Sequence, residues 1–355
     1  MEKNGTISMA HGSGGQLSSE LMNEVFGKYF SNNVLNKLED GAVIEIEPEE
    51  ASSIVVSTDS FVVTPIEFKG GDIGKLAVCG TVNDVLMMGA IPKYLTCGFI
   101  LEEGLEISTL DRIVESMSIA AISAKVIIIA GDTKVVEKRS GEESSNSGMM
   151  INTTGIGFLR PSLAANTEQR PSASNTKIGD VVILSGNLGD HHASILSSRM
   201  GIENGIKSDC ADLSELVHIL YENNIDVHTM RDVTRGGLGT VLNEIASSSS
   251  VAIEIREESL PVNAEVRAFC GIMGLDPIYM GNEGKFVITV SKKDVELAVS
   301  LLQTIDIGQN ARSIGEVLSI KDAVKNESGE VRILTKIGGT RRVDMLVGEG
   351  LPRIC

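Results

Sequence analysis

Tryptophan is absent from this chain, and aromatic residues make up only 3% of it. Packing must therefore rest on Ile, Val, Leu and Met, and backbone-built binding loops are favoured over aromatic pockets. The five cysteines, at 79, 97, 210, 270 and 355, show no CxxC or CxxH spacing. A disulfide scaffold and a structural zinc site are not expected, and HxH and HExxH spacings are missing too. No long Lys/Arg patch occurs, and 48 acidic against 31 basic residues leave a net charge of −17. Bulk nucleic-acid binding, which needs positive charge against phosphate, is excluded on that ground. The most apolar short run, "AKVIIIAG" at 124–131, is far too short to cross a bilayer. The opening "MEKNGTISMAHGSGG" has no apolar core, so no secretory leader is expected. A cytoplasmic location is the expectation, and a reducing compartment suits a free thiol at Cys355.

What is present is a chain of 355 residues, 42% hydrophobic and with 37 glycines. That length favours two domains. Leu17, Leu21, Val25 and Phe26 form a helical stripe. Strands are expected over 52–63, 93–103 and 124–137, rich in β-branched residues. Helices fit between them: one places Ile73, Leu76, Ala77 and Gly80 on a face, and the next opens with Ser108 or Thr109 as cap. The Pro/Ser/Asn/Thr-rich stretch 160–179 reads as the domain boundary. Beyond it come a strand at 180–186, helices near 192–201, 212–223 and 236–248, and the strands "KFVITVS" and "VRILTKIGG". Strands and helices alternate in both halves, so the class is α/β (α+β), with the strand order left open. The expected segments are 1–38 (Gly-rich opening and helix), 39–160 (first domain), 161–178 (linker), 179–343 (second α/β domain) and 344–355 (a flexible C-terminal tail).

Acidic residues recur beside glycines or at element ends: Asp59 in "STDSF", Asp84 in "GTVNDVLMMGA", Asp132 in "AGDTK" and Asp232 in "MRDVTRGG", with Asp40 in "LEDGA" a fifth. Each alone also fits a cap or turn. Together they suit Mg2+, a hard cation that takes one or two carboxylates plus substrate phosphates. An acidic chain that handles a polyphosphate needs such ions to offset repulsion. Lys134 lies two residues beyond Asp132, on the same side of an extended run; it would reach a phosphate or pair with a nearby acid. "HGSGGQLSSE" is a Gly-rich stretch before a helix and suits phosphate oxygens, without the Walker A ending. "SGNLGDHH" follows a strand and presents Asp190, His191 and His192. "MGNEGKF" sets Glu283 between glycines, as an exposed turn or as a general base on a close-approach loop. The chain closes on "GEGLPRIC".

The segments "MAHGSGG", "LEDGA", "TDSFVVTPIEFKGGDIGKLAVCGTVNDVLMMGA", "AGDTKVVE", "INTTGIG", "GDHHASIL", "MRDVTRGGLGTVLNEIA", "GNEGK" and "PRIC" together resemble the carbamoyl dehydratases of NiFe-hydrogenase maturation. The resemblance runs from about residue 8 to the last. It extends, more weakly, to the ATP-binding superfamily of aminoimidazole ribonucleotide synthetase, selenophosphate synthetase and thiamine-monophosphate kinase. It implies a two-domain aminoimidazole ribonucleotide synthetase-like fold whose N-terminal strands form a barrel across a homodimer, with ATP and Mg2+ in the cleft. By position, Asp40, Asp59, Asp84 and Asp232 are implied as the Mg2+/triphosphate set. Asn83, Asn152 and Lys134 are implied as supporting ATP contacts, and Asp132, read from its place in "AGDTK", is expected at the nucleotide with them. Cys355 is implied as acceptor of a carbamoyl group made by a partner carbamoyltransferase. Glu283 is the leading base for its dehydration to a thiocyanate, with His11 or His191 behind it. An iron-carrying maturation scaffold would then accept the cyanide. "LEDGA" departs from many relatives by having Glu39 in place of Asp, and leaves Asp40 intact.

Overall fold

The computed structural model describes residues 5–12, 16–37, 53–138, 148–320 and 329–345. Asp40 and Cys355 lie outside them. The chain divides into two compact units. Of the described residues, one takes those up to Val85 and Ala90–Leu159, the other Leu86–Gly89 and those from Arg160 to Met345.

The first unit opens with helix α1 (Gln16–Leu21), which widens through a π turn at Met22–Phe26 into α2 (Gly27–Phe30). Strand β1 (Ile54–Phe61), the small ribbon β2 (Glu67–Phe68) and β3 (Gly71–Asp72), and helix α3 (Ile73–Met87) follow. Then come β4 (Ala90–Glu102), α4 (Ile107–Ser123), β5 (Ile127–Val136) and β6 (Met149–Leu159). The four long strands form a sheet in the order β1–β6–β4–β5. Its ladders are antiparallel except β4–β5, which is parallel and joined by α4.

Helix α4 buries Leu110, Ile113, Val114 and Met117. These are the i, i+3, i+4, i+7 positions of one face, each worth about 1.5–3 kcal/mol when removed from water. Its cap differs from the expectation. The N-cap position is Glu106, in extended conformation and without a side-chain cap bond. The Glu106 carbonyl receives the Thr109 and Leu110 amides, and Ile107 N–H is taken up by the Gly5 carbonyl. Backbone pairing with the N-terminal segment thus draws the helix start upstream, and Ser108 and Thr109 fall inside the first turn. Helix α3 was expected to bury one stripe; Val78, Cys79 and Val82 are buried as well.

The second unit begins with α5 (Pro161–Ala165) and β7 (Val181–Leu184), then α6 (Asp190–Arg199), α7 (Ser214–Glu222) and β8 (Val227–Asp232). It continues with α8 (Gly237–Ser249), β9 (Ala252–Arg256), α9 (Ala264–Met273) and β10 (Phe286–Val290). Helix α10 (Val295–Gln303), β11 (Arg312–Leu318), β12 (Glu330–Leu334) and β13 (Thr340–Arg342) complete it. The sheet order is β13–β12–β9–β11–β7–β10–β8, and among the described residues only β9–β12 is parallel. All five residues of β10 are buried, because a central strand covered on both faces needs no polar alternation. Leu238, Leu242 and Ile245 of α8 pack with Val182, Leu184, Ile253 and Ile255 in one core.

His228 on β8 is a buried ionisable group. Its Nδ1 lies 2.7 Å from Asp180 Oδ2, its Nε2 3.4 Å from Asp226 Oδ2 and 3.3 Å from Lys177 Nζ. The hydrogen bond to Asp180 raises its pKa above the usual imidazole value. A group whose folded pKa exceeds its unfolded one adds stability that is complete below the unfolded pKa, near 6.5. That increment fades as pH rises through the higher, folded pKa. Thermal unfolding followed between about pH 6 and pH 9 is expected to show this decline, and the His228→Gln chain to lack it. Parallel curves for both chains would contradict the assignment.

Candidate active site

In the first unit the carboxylates sort by sheet face. Residues opposite one another in a ladder point to the same side. Asp59 of β1 faces Thr153 of β6. Thr153 is 1% exposed, and its hydroxyl lies 2.6 Å from that of Thr81 and donates to the Ala77 carbonyl at 2.9 Å, both on α3. Asp59 therefore belongs to the helix-covered face. Ser57 shares that face and donates to Asp84 Oδ2 of α3 at 2.7 Å. Asn83, next to Asp84, is buried. Edge strand β1 thus sets Asp59 and the partner of Asp84 on one side, and α3 brings Asp84 and Asn83 to it.

Asn152, Asp132 and Lys134 lie on the opposite face. Register pairs Ser60 with Asn152, Asn152 with Gly98, and Gly98 with Asp132, one row across all four strands. Asn152 Nδ2 donates to the Asp59 carbonyl at 2.9 Å and to Ser60 Oγ at 3.0 Å. Lys134 Nζ sits 3.1 Å from Asp132 Oδ2, with both side chains about two-thirds exposed at 65% and 68%. A pair so wetted is worth little, and its ammonium is easily given up to a phosphate. His11 is buried in the turn Met9–Gly12, where its Nδ1 accepts the Ser8 amide at 3.0 Å. That nitrogen is engaged in a local turn.

Among the described residues no three His, Cys, Asp or Glu side chains gather as a metal site. The expected Mg2+ set is divided: Asp59 and Asp84 in the first unit, Asp232 at the end of β8 in the second, Asp40 outside the described residues. The two carboxylates of the first unit match what Mg2+ takes from protein when substrate phosphates supply the rest.

The second unit holds a buried polar cluster around the β7–α6 turn and the loop before β10. Gly189 takes a left-handed conformation, φ +86°, and α6 starts at Asp190 rather than at 192. Asp190 accepts from Asn263 Nδ2 at 2.7 Å. Burial pushes its pKa up to about 6, with the Asp209 charge adding and Asn263 and Lys285 opposing. His192 is pushed down to about 4 by burial, so it is neutral at physiological pH. His191 is fully buried, with Nδ1 2.7 Å from Ser208 Oγ. Glu283 is 4% exposed, not on the exposed turn that was one reading of its flanking glycines. Its N–H donates to Asp209 Oδ1 at 3.1 Å. Gly284 is required there, because a Cβ would collide with the Asp209 carbonyl.

Lys285 and Asp209 were not singled out from the sequence. Lys285 Nζ lies 3.5 Å from Asp209 Oδ2, with the side chains 8% and 5% exposed. Lysine directly after "GNEG" was the available signal; its partner lies in another part of the chain, with no local pattern to mark it.

Residues 38–159 match the family AIR synthase related protein, N-terminal domain, and residues 177–324 match AIR synthase related protein, C-terminal domain. The chain is 43% identical to carbamoyl dehydratase HypE of Azotobacter vinelandii, over 99% of this chain and 98% of that one. It is similar to a crystal structure of hydrogenase maturation protein HypE in complex with ATP. There the identity is 42%, the TM-score 0.90, and the coverage 98% of this chain and 99% of the other. It is also similar to a chain in a crystal structure of a HypE–HypF complex, at 41% identity and TM-score 0.75, covering 92% and 99%. Similarity that spans both units and nearly the full length of these relatives places the chain in the HypE family of carbamoyl dehydratases.

Proposed function

We propose that the chain is an ATP-dependent carbamoyl dehydratase that acts on its own last residue. The reaction starts from a thiocarboxamide on Cys355, protein–S–CO–NH2. Its carbonyl oxygen attacks the γ-phosphorus of ATP, the bond to ADP breaks, and a phosphate ester forms on carbon. Loss of that phosphate and of both N–H protons leaves protein–S–C≡N. The oxygen of the carbamoyl group departs in the phosphate, so dehydration occurs without free water as leaving group. The thiocyanate then supplies cyanide for the iron of NiFe hydrogenase.

Asp59 and Asp84 would hold Mg2+ against the triphosphate with Asn83 beside them, Asp40 and Asp232 being expected in the same set, and Asn152, Asp132 and Lys134, on the opposite face of the sheet, would contact a nucleotide presented to that face. Magnesium supplies charge neutralisation at the phosphates. Lys134 is the cation free to exchange its exposed carboxylate partner for a phosphate. Glu283 takes the nitrogen protons, with His191 and then His11 as lesser candidates. The observation that carries this reading is a nearly buried carboxylate, Glu283, fixed by its backbone between glycines that allow close approach. Its sequence context "GNEGK" is shared with the resemblance described above.

The partners follow from the same reading. A carbamoyltransferase loads Cys355, and an iron-carrying scaffold takes the cyanide. The open face of the first sheet carries exposed Ile54, Val56 and Ile100, apolar surface that a second copy would cover in a homodimer. No helix among the described residues is long and apolar enough to cross a membrane. The working location under this reading is the cytoplasm.

Asp84→Asn tests the nucleotide set. The substitution keeps size and the Ser57 contact but removes a charge. Magnesium-dependent ATP binding, measured by calorimetry, is expected to weaken about tenfold or more, as loss of metal-site groups commonly does. Unchanged affinity would remove Asp84 from that role.

A further inference from the structure

The loop that carries Glu283 is tied down residue by residue. Asn282 N–H donates to the Val233 carbonyl at 2.9 Å, and its Nδ2 reaches the Val233 and Met280 carbonyls. Val233 N–H returns a bond to the Lys285 carbonyl at 2.9 Å, and Phe286 N–H donates to Ser185 Oγ at 2.9 Å. Within this frame, Asp209 holds the peptide that enters Glu283, and Lys285 holds the peptide one residue beyond it, between Gly284 and Lys285. Asp209 Oδ1 accepts Glu283 N–H at 3.1 Å, and Lys285 Nζ donates to the Gly284 carbonyl at 2.9 Å. The Lys285 stem runs against Gly186, where a Cβ would come within 2.7 Å of Cε.

The ion pair between these two is poorly suited to stability alone. Both side chains are buried, yet Nζ and Oδ2 stand 3.5 Å apart, and Oδ2 receives no hydrogen bond among the described residues. Desolvating two charges for so loose a pair costs more than a packed apolar pair of the same volume would. Its geometry is instead directed at the Glu283 amide and the Gly284 carbonyl.

We propose that Asp209 and Lys285 are positioning residues for Glu283, holding its own amide and the Gly284 carbonyl just beyond it and so setting the direction of its carboxylate. The inference rests on Glu283 as the base. A base must stand within hydrogen-bond reach of the proton it takes, and a shift of about 1 Å in a reacting group costs on the order of 100-fold in rate.

The test uses the full chain, carbamoylated on Cys355, with ATP added and loss of water from the C-terminal peptide followed by intact mass. Lys285→Met keeps the stem beside Gly186, and Asp209→Leu keeps a branched side chain of similar shape while removing the acceptor for Glu283 N–H. The double variant leaves no lone buried charge, so it folds where a single one fails; circular dichroism reports this. Each folded variant is expected to bind ATP within about twofold of the parent and to dehydrate at least about tenfold more slowly. In a Glu283→Gln background the same changes are expected to cause no further loss, because the clamp acts only through the missing base. A parental rate in the folded double variant overturns the proposal. So does a further loss in the Glu283→Gln background, which marks a role not routed through Glu283. A parental rate in Glu283→Gln alone overturns the base assignment, and the clamp with it. Failure of the clamp with Glu283→Gln inactive leaves the base assignment standing.

Discussion

Glu283→Gln is expected to bind ATP like the parent chain and to stop at the carbamoylated stage. Gln has nearly the same shape, and the Glu283 backbone contacts to Asp209 and Ala211 do not depend on the side-chain charge. What is lost is a group able to accept a proton. The chemistry must remove two protons from nitrogen, and a positioned base typically contributes about 10²- to 10⁴-fold to such a transfer. Because ATP binding is assigned to other residues, the loss should fall on the dehydration rate and not on nucleotide affinity. Mass spectrometry of the C-terminal peptide checks this directly: the carbamoyl adduct should accumulate without losing water. Thiocyanate formed at the parental rate would move the role of base to His191 or His11.

The second large effect is expected from Cys355→Ala. The sulfur is the atom to which the carbamoyl group is bound, so its removal should abolish loading and cyanide delivery altogether. ATP affinity should stay unchanged, since the residues proposed for the nucleotide lie elsewhere in the chain. This variant also separates the proposed activity from its nearest rival, an enzyme of the same fold that phosphorylates a free small molecule. Such an enzyme would keep its phosphate release after the substitution. A carrier that binds ATP only as a switch would release no stoichiometric phosphate even with a carbamoylated Cys355. Tethering the substrate makes the reaction unimolecular and avoids a large entropic cost.

Much of the secondary structure was legible in the chain. β-branched runs marked β1, β4 and β5, apolar spacing marked α3, and the helices expected near 212–223 and 236–248 correspond to α7 and α8, to within a few residues at most ends. Misses arose where distant backbone intervened. The Ser108/Thr109 cap failed because Ile107 N–H found the Gly5 carbonyl. Strand order stayed open because ladders such as β1–β6 join residues close to a hundred positions apart.

The acidic and glycine-flanked segments, Glu283 within "GNEGK" and the closing "PRIC" are properties of the sequence alone, since residue type and near neighbours suffice to recognise them. Which side of a sheet each carboxylate occupies is a tertiary matter. Strand parity is local, but α3 covering one face of the first sheet is what separates Asp59 and Asp84 from Asp132, Lys134 and Asn152. The grip of Asp209 and Lys285 on the Glu283 loop is tertiary in the same sense. It depends on folding that brings a residue 74 positions away against the Glu283 amide, and no window of sequence contains both.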